Sequence, residues 1–573
     1  MKFSKYFMLA GAAALLTACS SEEPVVSDVT NYPVSAEVAN NDCYLPLSIA
    51  LAQSEGNTRA VSYVDEGLPS EYSVLNSWIL IFETESGKSE SEAKYVDRFR
   101  ITTSWADETT NNHISRYTTS AVAFPKGTFK EGSTYSAAIV LNAPSNYPWP
   151  KAAVVDSEGN ETTPASTFGA WSTTASDVTF LITEDGVSYM TMVSAPNYSS
   201  TLKRTMVLQS LDLTKAVSDL VNLSSTAAPA ASFFVHRVAA KVTLNADGDD
   251  SEKGVYAIEG TGATVTVTAW AADGVASKAY PIQNIGGFDL TKKSFYTTNT
   301  GFTPSFTRCN WSKSVFYDKE TLEANDLAWK TSLSDESTLH AVEYIKENTM
   351  THTLQVKNHT TRVLVKGVYQ LPGSENPEDL IRAGVSGSTN TIWTASDFTA
   401  EVKAKTIACW TGHDADDITV TMKTSAKKAG SYNLTDMFEI KAGTATPDEN
   451  TLNRIARELG LGESNAASEK TIAYFANGVC YYTALIRHFD DQEAPLTAYP
   501  QAGTDYTEDQ VGRYGVLRNN WYEVNVTSIN RIGSPVPPTP TPTPDDEEKD
   551  EVKAMNVNIY MINWAKHSQN ADF

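Results

Sequence analysis

Cysteine is scarce in this chain of 573 residues, which contains only five. They lie far apart, and no two of them form a C-x-x-C pair: Cys19, Cys43, Cys309, Cys409 and Cys480. Cysteine zinc sites and disulfide scaffolds both need cysteines at close, repeated spacing. We therefore expect no structural metal, no disulfide framework and no cofactor.

The motifs of the common enzyme classes are also missing. Gly384–Gly387 lacks the last glycine of a G-x-S-x-G nucleophile turn, and no H-E-x-x-H or Walker motif occurs. The spacings of 12 and 7 residues between His340, His352 and His359 fit no common metal site, and Asp414–Asp417 lacks the glycine and the glutamate of a calcium loop. The sequence therefore predicts a protein that is not an enzyme.

Positive charge is in deficit, because 45 Lys and Arg residues face 69 Asp and Glu residues. The formal net charge is −24, and it becomes −26 if Lys2 and Lys5 are removed with an N-terminal leader. Nucleic-acid binding depends on a basic surface that neutralises phosphates. The charge balance argues against nucleic acid as a partner.

Long apolar runs are absent after the N-terminus. Two lysines precede an apolar run from Phe7 to Leu16, which is typical of a secretory signal peptide over residues 1–18. The small residues before Cys19 resemble a bacterial lipobox, so Cys19 is expected to be acylated. Ser20–Glu23 resembles the acidic signal that directs some lipoproteins to the cell surface. The sequence predicts a lipoprotein of the outer membrane.

Short apolar segments bounded by Gly, Pro, Asn or Ser do occur along most of the chain, and they predict strands. The clearest are Trp78–Phe82, Ala137–Leu141, Val265–Trp270, Arg362–Tyr369 and Tyr522–Val526. We predict an all-β fold with two β-sandwich domains, over residues 60–232 and 233–533, and short surface helices. Two helices are expected, over Leu213–Leu220 and Asp448–Leu459, and Asn477-Gly478 predicts a tight β-hairpin.

A separate strand is predicted before the first domain. Its apolar residues alternate with Tyr44, Pro46, Ser48 and Ala50 and therefore share one face: Leu45, Leu47, Ile49 and Leu51. Arg59 follows it, and a trypsin-like protease could cut between Arg59 and Ala60. We interpret residues 19–59 as a propeptide that carries a removable strand.

A second isolated strand is predicted at the C-terminus, over residues 552–573. Four apolar residues alternate with Asn556, Asn558, Tyr560 and Ile562: Met555, Val557, Ile559 and Met561. A Pro/Thr-rich and then acidic linker precedes it over residues 534–551 and is typical of a stiff tether. We expect this strand to have no partner in its own chain. Our hypothesis is that it replaces the first strand of a neighbouring subunit.

Several segments resemble the fimbrilins of type V pili in the same order along the chain. They are the lipobox at Cys19, the Arg59 site, Val235–Val242, Glu347–Thr349, Arg362–Gly367 and Leu517–Val524. The resemblance implies two transthyretin-like β-sandwich domains and a lipoprotein precursor that an arginine-specific protease cuts. It also implies strand exchange with other copies and related subunits, first on the outer membrane and then in an extracellular fimbrium.

Two further interpretations concern its role. Because the chain has both a removable first strand and a tethered last strand, a stalk subunit fits better than an anchor or a tip. The alternative is a surface glycan-binding lipoprotein that uses loop tryptophans: Trp149, Trp171, Trp311, Trp329 and Trp393. A glycan binder needs neither a propeptide bounded by arginine nor a tethered strand. The fimbrial interpretation is therefore favoured, while the sequence does not specify the receptor.

Overall fold

The structure is a computed structural model. It describes residues 32–51, 68–101, 115–158, 160–199, 204–219, 228–248, 254–285, 296–299, 306–331, 342–356, 359–384, 391–461, 468, 470–489, 494, 506–537 and 554–563. The signal peptide, Cys19, the cleavage site at Arg59 and Ala60, and most of the linker therefore lie outside the described residues.

Strands predominate, which confirms the all-β prediction. The first group is β1 (Cys43–Leu51), β2 (Ser77–Thr84), β3 (Lys94–Arg100), β4 (Ser115–Phe124), β5 (Thr134–Leu141), β6 (Val154–Val155), β7 (Glu161–Thr163), β8 (Leu181–Glu184), β9 (Val187–Met190), β10 (Met192–Ser194), β11 (Asn197–Ser199), β12 (Arg204–Met206), β13 (Gln209–Ser210) and β14 (Ala231–Arg237). The second group is β15 (Ala240–Asn245), β16 (Val255–Ala257), β17 (Thr264–Asp273), β18 (Tyr296–Asn299), β19 (Phe306–Cys309), β20 (Val342–Ile345), β21 (Arg362–Gln370), β22 (Leu380–Ala383), β23 (Ile392–Thr394), β24 (Ile418–Met422), β25 (Gly430–Tyr432), β26 (Phe438–Ala442), β27 (Ile472–Phe475), β28 (Val479–Leu485), β29 (Asn520–Ile529) and β30 (Met555–Asn563).

The helices are few and most of them are short. They are α1 (Ala36–Asn40), α2 (Pro69–Tyr72), α3 (Phe168–Ser172), α4 (Ala395–Cys409), α5 (Leu434–Met437) and α6 (Glu449–Glu458). Single 3₁₀ turns lie at Glu90–Glu92, Leu213–Lys215, His352–Leu354, Thr424–Ala426, Ala476–Gly478 and Glu508–Gln510. Of the helix predicted over Leu213–Leu220, the described residues show only the turn at Leu213–Lys215.

The first domain is built on one sheet in the order β3-β2-β5-β10-β14-β1-β4, with β13 beside β5. This sheet curls, because its two edge strands approach each other: the rings of Phe99 on β3 and Phe124 on β4 have centroids 5.1 Å apart. The curled sheet encloses the first core, which includes Leu47, Ile81 and Phe233. Helix α3 covers part of the opposite face.

The second domain is a sandwich of two sheets, β20-β15-β29-β30 and β16-β17-β21-β28. Alternate side chains of both sheets point inward and form the second core, which includes Val242, Val265, Val365 and Val524. A smaller sheet, β12-β11-β19-β18, combines strands that precede and follow this domain's first strand.

A third core lies within the predicted second domain. It is formed by the sheet β23-β22-β27-β25, the pair β24-β26, and helices α4 and α6. The second predicted helix exists as α6, with Asp448 as its N-cap and Ile455 and Ala456 buried. The longer helix α4 was not predicted. Its sequence, capped by Thr394, buries Phe398 and Val402.

The predicted boundary at residue 233 is corrected by the strand pairing. Strand β14 pairs with β1 and β10 of the first domain, so Phe233 and Val235 belong to the first core. Ala240 and Val242, on β15, belong to the second core. The chain changes cores between them at Val238, because the two strands follow each other with almost no linker.

The predicted β-hairpin at Asn477-Gly478 is wrong as a strand pairing. Both residues do adopt the positive φ angles of a tight turn, 50° and 68°. However, β27 pairs with β22 and β25, whereas β28 pairs with β21. The Asn-Gly pair determines the local backbone conformation of the turn. It does not determine the pairing of the flanking strands, which belong to different sheets.

Candidate functional site: the N-terminal strand and its groove

Strand β1 is an inner strand of the first domain. It runs parallel to β14, with Leu47 opposite Ala231, and antiparallel to β4, with Cys43 opposite Phe124. A strand from the predicted propeptide therefore lies between two strands of the body. On one side, the amide of Ala230 donates a hydrogen bond to the Pro46 carbonyl at 2.7 Å.

Burial follows the alternation predicted for β1 except at Pro46, which alternates with the leucines and is also buried. Leu45, Leu47 and Ile49 are each 0% exposed and lie in the first core. Leu51 ends the strand and pairs with Val235 and Ser115, while its side chain lies outside the described part. We call the space that these side chains occupy between β14 and β4 the groove.

Two buried propeptide residues were missed from the sequence. Cys43 continues the alternation two residues before Leu45 and could have been included. Val34 stands outside any pattern. It is held because its amide donates to the Ser133 carbonyl at 3.0 Å and its carbonyl accepts from the Gly132 amide at 2.9 Å. The described part of the propeptide is therefore attached both at Val34 and along β1.

A proline interrupts β1 on the side of β4. The register with β4 shifts between Leu45 and Leu47, where Pro46 cannot donate to the neighbouring strand. Such a bulge is tolerated because the Pro46 carbonyl still pairs with β14. The shift gives the groove a specific register.

Strand β4 depends on β1. In the described part of the sheet, β4 is the last strand and its strand partner is β1. Removing β1 would leave β4 and β14 facing a gap. Each of its fully buried apolar side chains contributes roughly 1.5–3 kcal/mol to folding. The groove is therefore an apolar slot that requires a strand.

Leu47→Ala should destabilise the precursor, because it leaves a cavity in the first core. We expect a loss of about 2–5 kcal/mol in the free energy of unfolding of the first domain. Ser48→Ala is the matched control, since Ser48 is only half-buried. Urea unfolding followed by tryptophan fluorescence measures both. Equal stabilities for the two variants would contradict the assigned role of Leu47.

The thiol of Cys43 reports on the state of β1. Burial, assisted by the negative charge of Asp42, raises the pKa of Cys43 to about 11. A protonated and buried thiol reacts slowly with alkylating reagents. All four cysteines of the described chain are buried, so a change in labelling of Cys43 can be read against a low background.

The C-terminal strand β30 has a partner in its own chain, which corrects the expectation that it would be unpaired. It lies antiparallel to β29 at the edge of the second domain, with Val524 opposite Ile559. Met555 is 5% exposed and belongs to the second core. Only the backbone of Val557, Ile559 and Met561 lies in the described part. An alternation of apolar residues predicts a strand, but it does not identify the neighbouring strand with which the new strand pairs.

The tether to β30 starts at a fixed point. Tyr481 of β28 and Ser534 exchange two backbone hydrogen bonds of 2.8 and 2.9 Å. Gly533 is required there, because a Cβ atom would lie 2.3 Å from the Tyr481 carbonyl oxygen. The tether thus begins beside one sheet of the second domain and leads to a strand on the other sheet.

The loop tryptophans do not form one surface. Trp171 and Trp311 are buried in two different cores. The guanidinium carbon of Arg98 lies 4.4 Å from the ring centroid of Trp149. Trp329 is 36% exposed, and Trp393 packs beside Phe398 in the third core. These placements give the glycan-binding alternative no shared binding face.

The described residues offer neither a metal site nor a helix that spans a membrane. They contain no group of three or more His, Cys, Asp or Glu side chains that could hold a metal ion. Within the same residues, no helix has both the length and the apolar character needed to cross a bilayer.

Comparisons with known proteins address the C-terminal part. Residues 473–570 match the model of the family "Major fimbrial subunit protein type IV, Fimbrillin, C-terminal". The match includes β28, β29, the tether and β30, and it confirms the resemblance to fimbrilins. It supports a fimbrial subunit at the cell surface. No curated protein matches the sequence significantly.

Solved structures resemble the chain only distantly. A proposed cell adhesion protein from Bacteroides eggerthii is 10% identical with a TM-score of 0.31, and the alignment covers 92% of this chain and 97% of that one. A proposed adhesin from Bacteroides ovatus is 11% identical with a TM-score of 0.18, over 60% and 78% of the two chains. Scores this low carry no conclusion about function.

Proposed function

We propose that this protein is a structural subunit of a cell-surface fimbrium, exported as a lipoprotein and activated by cleavage after Arg59. The mature subunit joins its neighbour by inserting its C-terminal strand into the groove that the propeptide strand leaves. Its partners are other copies and related fimbrial subunits. The filament supports adhesion through a receptor that the chain does not identify.

The position of β1 carries this proposal. A strand near the N-terminus fills an inner place in a sheet, and β4 beyond it has that strand as its partner in the described sheet. If a propeptide only covered a surface site, its removal would leave the sheets of the mature body unchanged. Removal of this one leaves an apolar gap that only another strand can fill, because backbone donors and acceptors on both sides must be paired.

The place of Arg59 suits such a removal. It lies between the end of β1 at Leu51 and Leu68, whose amide donates to the Glu71 carboxylate at 3.0 Å. Cleavage between these two fixed points separates the propeptide from the body without breaking any later strand. We assign the cut to an arginine-specific protease of trypsin-like preference.

Acylation of Cys19 adds a second consequence to the same cut. The lipid and the groove-filling strand are on one segment, residues 19–59. A single cleavage therefore frees the subunit from the outer membrane and opens its groove. A subunit that is still anchored by this segment cannot accept a strand from a neighbour.

The donor is β30, which must leave β29 to reach another subunit. It is an edge strand with one strand neighbour, whereas β1 lies between two. Insertion into the groove would therefore provide backbone hydrogen bonds on both sides in place of one. This difference favours the exchanged arrangement once the groove is open.

Cleavage and release can be followed together. Treatment of the precursor with an arginine-specific protease should give a body that begins at Ala60, and alkylation of Cys43 should become fast in the released peptide. Arg59→Ala should remain uncut at this position, attached to the membrane and unable to form filaments. Arg100→Ala is the control, because Arg100 is exposed on β3 and should be dispensable.

Normal filaments from Arg59→Ala would overturn the proposed activation. A body that starts at Ala60 but retains a slowly alkylated Cys43 would show that cutting does not release the strand. Both results can be read from intact mass and peptide mass spectra of the labelled protein.

A further inference from the structure

A short segment directly after the cleavage site touches both domains. Helix α2 lies within Leu68–Asn76, which we call the strap. The strap precedes β2 of the first domain, yet the Glu71 side chain is 0% exposed among residues of the second domain. Its carboxylate is 3.0 Å from the ammonium of Lys241 on β15.

The contacts of Glu71 with the second domain are specific. The Tyr344 hydroxyl donates to Oε1 at 2.6 Å, and Lys241 contacts the same oxygen. Burial and the charge of Glu71 raise the pKa of Tyr344, so its phenol stays neutral and remains a donor. Lys241 is 1% exposed and lies 3.9 Å from the centroid of the Trp521 ring. The carboxylate, the ammonium and the phenol form one buried polar group.

The strap also contacts the short connection between β14 and β15, where the chain passes from the first domain to the second; we call this connection the crossing. Arg237 is the last residue of β14, and its Nε donates to the Glu71 carbonyl at 2.7 Å. The Arg237 amide donates to Asn519 Oδ1 at 3.1 Å, and the Asn519 amide donates to the Ala239 carbonyl at 2.7 Å. The crossing is therefore fastened from two sides, by the strap and by the loop before β29.

The other end of the strap is fastened to the first domain. Asn142, with a φ of 53°, follows β5 and directs its side chain to the strap. Its Oδ1 accepts from the Leu75 amide at 2.7 Å, and its Nδ2 donates to the Ser73 carbonyl at 2.8 Å. The two attachment points are only a few residues apart, which leaves little slack between the domains.

We infer that the strap is an interdomain lock that, through Glu71 and Asn142, helps to fix the orientation of the two domains, beside the Asp177–Lys346 ion pair and the backbone bridge between Ser176 and Ala279. Because it follows Arg59, cleavage leaves it in the mature subunit. Glu71 and Lys241 neutralise each other away from water, so replacing Glu71 by a neutral residue would leave the Lys241 ammonium buried without its counter-charge. In a filament, the lock would keep the groove of the first domain and the start of the tether on the second domain in a fixed relative orientation. This consequence rests on the proposed function.

Domain orientation can be measured in the precursor without any filament. Cysteines introduced as Glu131→Cys and Glu259→Cys, in a chain that also carries Cys19→Ser, place one dye on an exposed site of each domain, while the four native cysteines of the described residues stay buried. Single-molecule energy transfer should give one narrow distance distribution. Glu71→Gln should broaden it at least twofold while each domain keeps its own thermal transition.

Two further variants separate the lock from a general loss of stability. Tyr344→Phe removes the hydroxyl that donates to Glu71 but keeps the Glu71–Lys241 ion pair, so it should broaden the distribution less, with folding intact. Glu92→Gln breaks an exposed ion pair with Lys88 inside the first domain and should leave the distribution narrow. A narrow distribution in folded Tyr344→Phe together with folded Glu71→Gln would overturn the lock.

The outcome is separable from that of the proposed function. If the distribution stays narrow but filaments form after cleavage, the lock is refuted and strand exchange stands. If it broadens but no filaments form from wild-type protein, the lock stands and strand exchange is refuted. If Glu71→Gln fails to fold, Tyr344→Phe alone decides the inference, and an unchanged distribution in that variant refutes it.

Discussion

Chains that end at Gly533 should form no filaments, although both domains remain folded. The truncation removes the tether and β30 but keeps β29 paired with β15 in the second domain. The groove of the next subunit would then have no strand to receive. We expect wild-type protein to give a ladder of stable oligomers after cleavage, and the truncated chain to give monomers.

A single charge should have nearly the same effect. Ile559→Asp would place an unpaired carboxylate in the apolar groove, at a cost of several kcal/mol, so polymerisation should fall by more than a hundredfold. Asn558→Asp is the matched control, because adjacent residues of a strand face opposite sides. Electron microscopy and gels of unboiled samples measure both variants.

Filaments from the truncated chain at wild-type yield would show that the terminal strand is not the connector. Equal loss of filaments in Ile559→Asp and Asn558→Asp would instead show that added charge, rather than its position in the groove, prevents assembly.

Removal of the propeptide strand without a donor should loosen the first domain at one place. In the precursor, the amides of β4 are protected because the strand pairs with β1. After cleavage and release of the propeptide from the chain that ends at Gly533, hydrogen exchange over Ser115–Phe124 should accelerate by roughly three orders of magnitude. This corresponds to the loss of about three buried apolar side chains and one strand neighbour.

Addition of a peptide with the sequence of residues 552–573 should restore that protection. A peptide carrying the Ile559→Asp change should not, and one carrying Asn558→Asp should. Exchange in the third core, for example over α4, is the internal control and should not respond to cleavage or peptide. Unchanged protection of β4 after release of the propeptide would contradict the groove.

The prediction of β1 succeeded because both of its faces are specified locally. Leu45, Leu47 and Ile49 alternate with less apolar residues and are fully buried, while Tyr44 and Ser48 are half-buried and Pro46 is buried as well. Val34 was missed, since one apolar residue in a polar segment carries no period. Its burial depends on hydrogen bonds to a turn about a hundred residues later in the chain.

Other errors have one cause in common. Asn477 and Gly478 do form a tight turn, but pairing partners for β27 and β28 come from distant strands. Helix α4 has little difference in polarity between its faces, and its burial of Phe398 became clear only with the third core around it. Local sequence specifies backbone shape better than it specifies neighbours.

By itself, the sequence determined that this protein consists mainly of strands, that one strand precedes an arginine site, and that another follows a stiff tether. These features depend on side-chain period, on proline and on charge, which act within a few residues. Only the tertiary structure decided that β1 is an inner strand, that β30 rests on β29, and that Glu71 of the strap reaches Lys241 of the second domain. Those arrangements join residues far apart in the chain, and their free energy comes from burial and pairing that exist only once the sheets have formed.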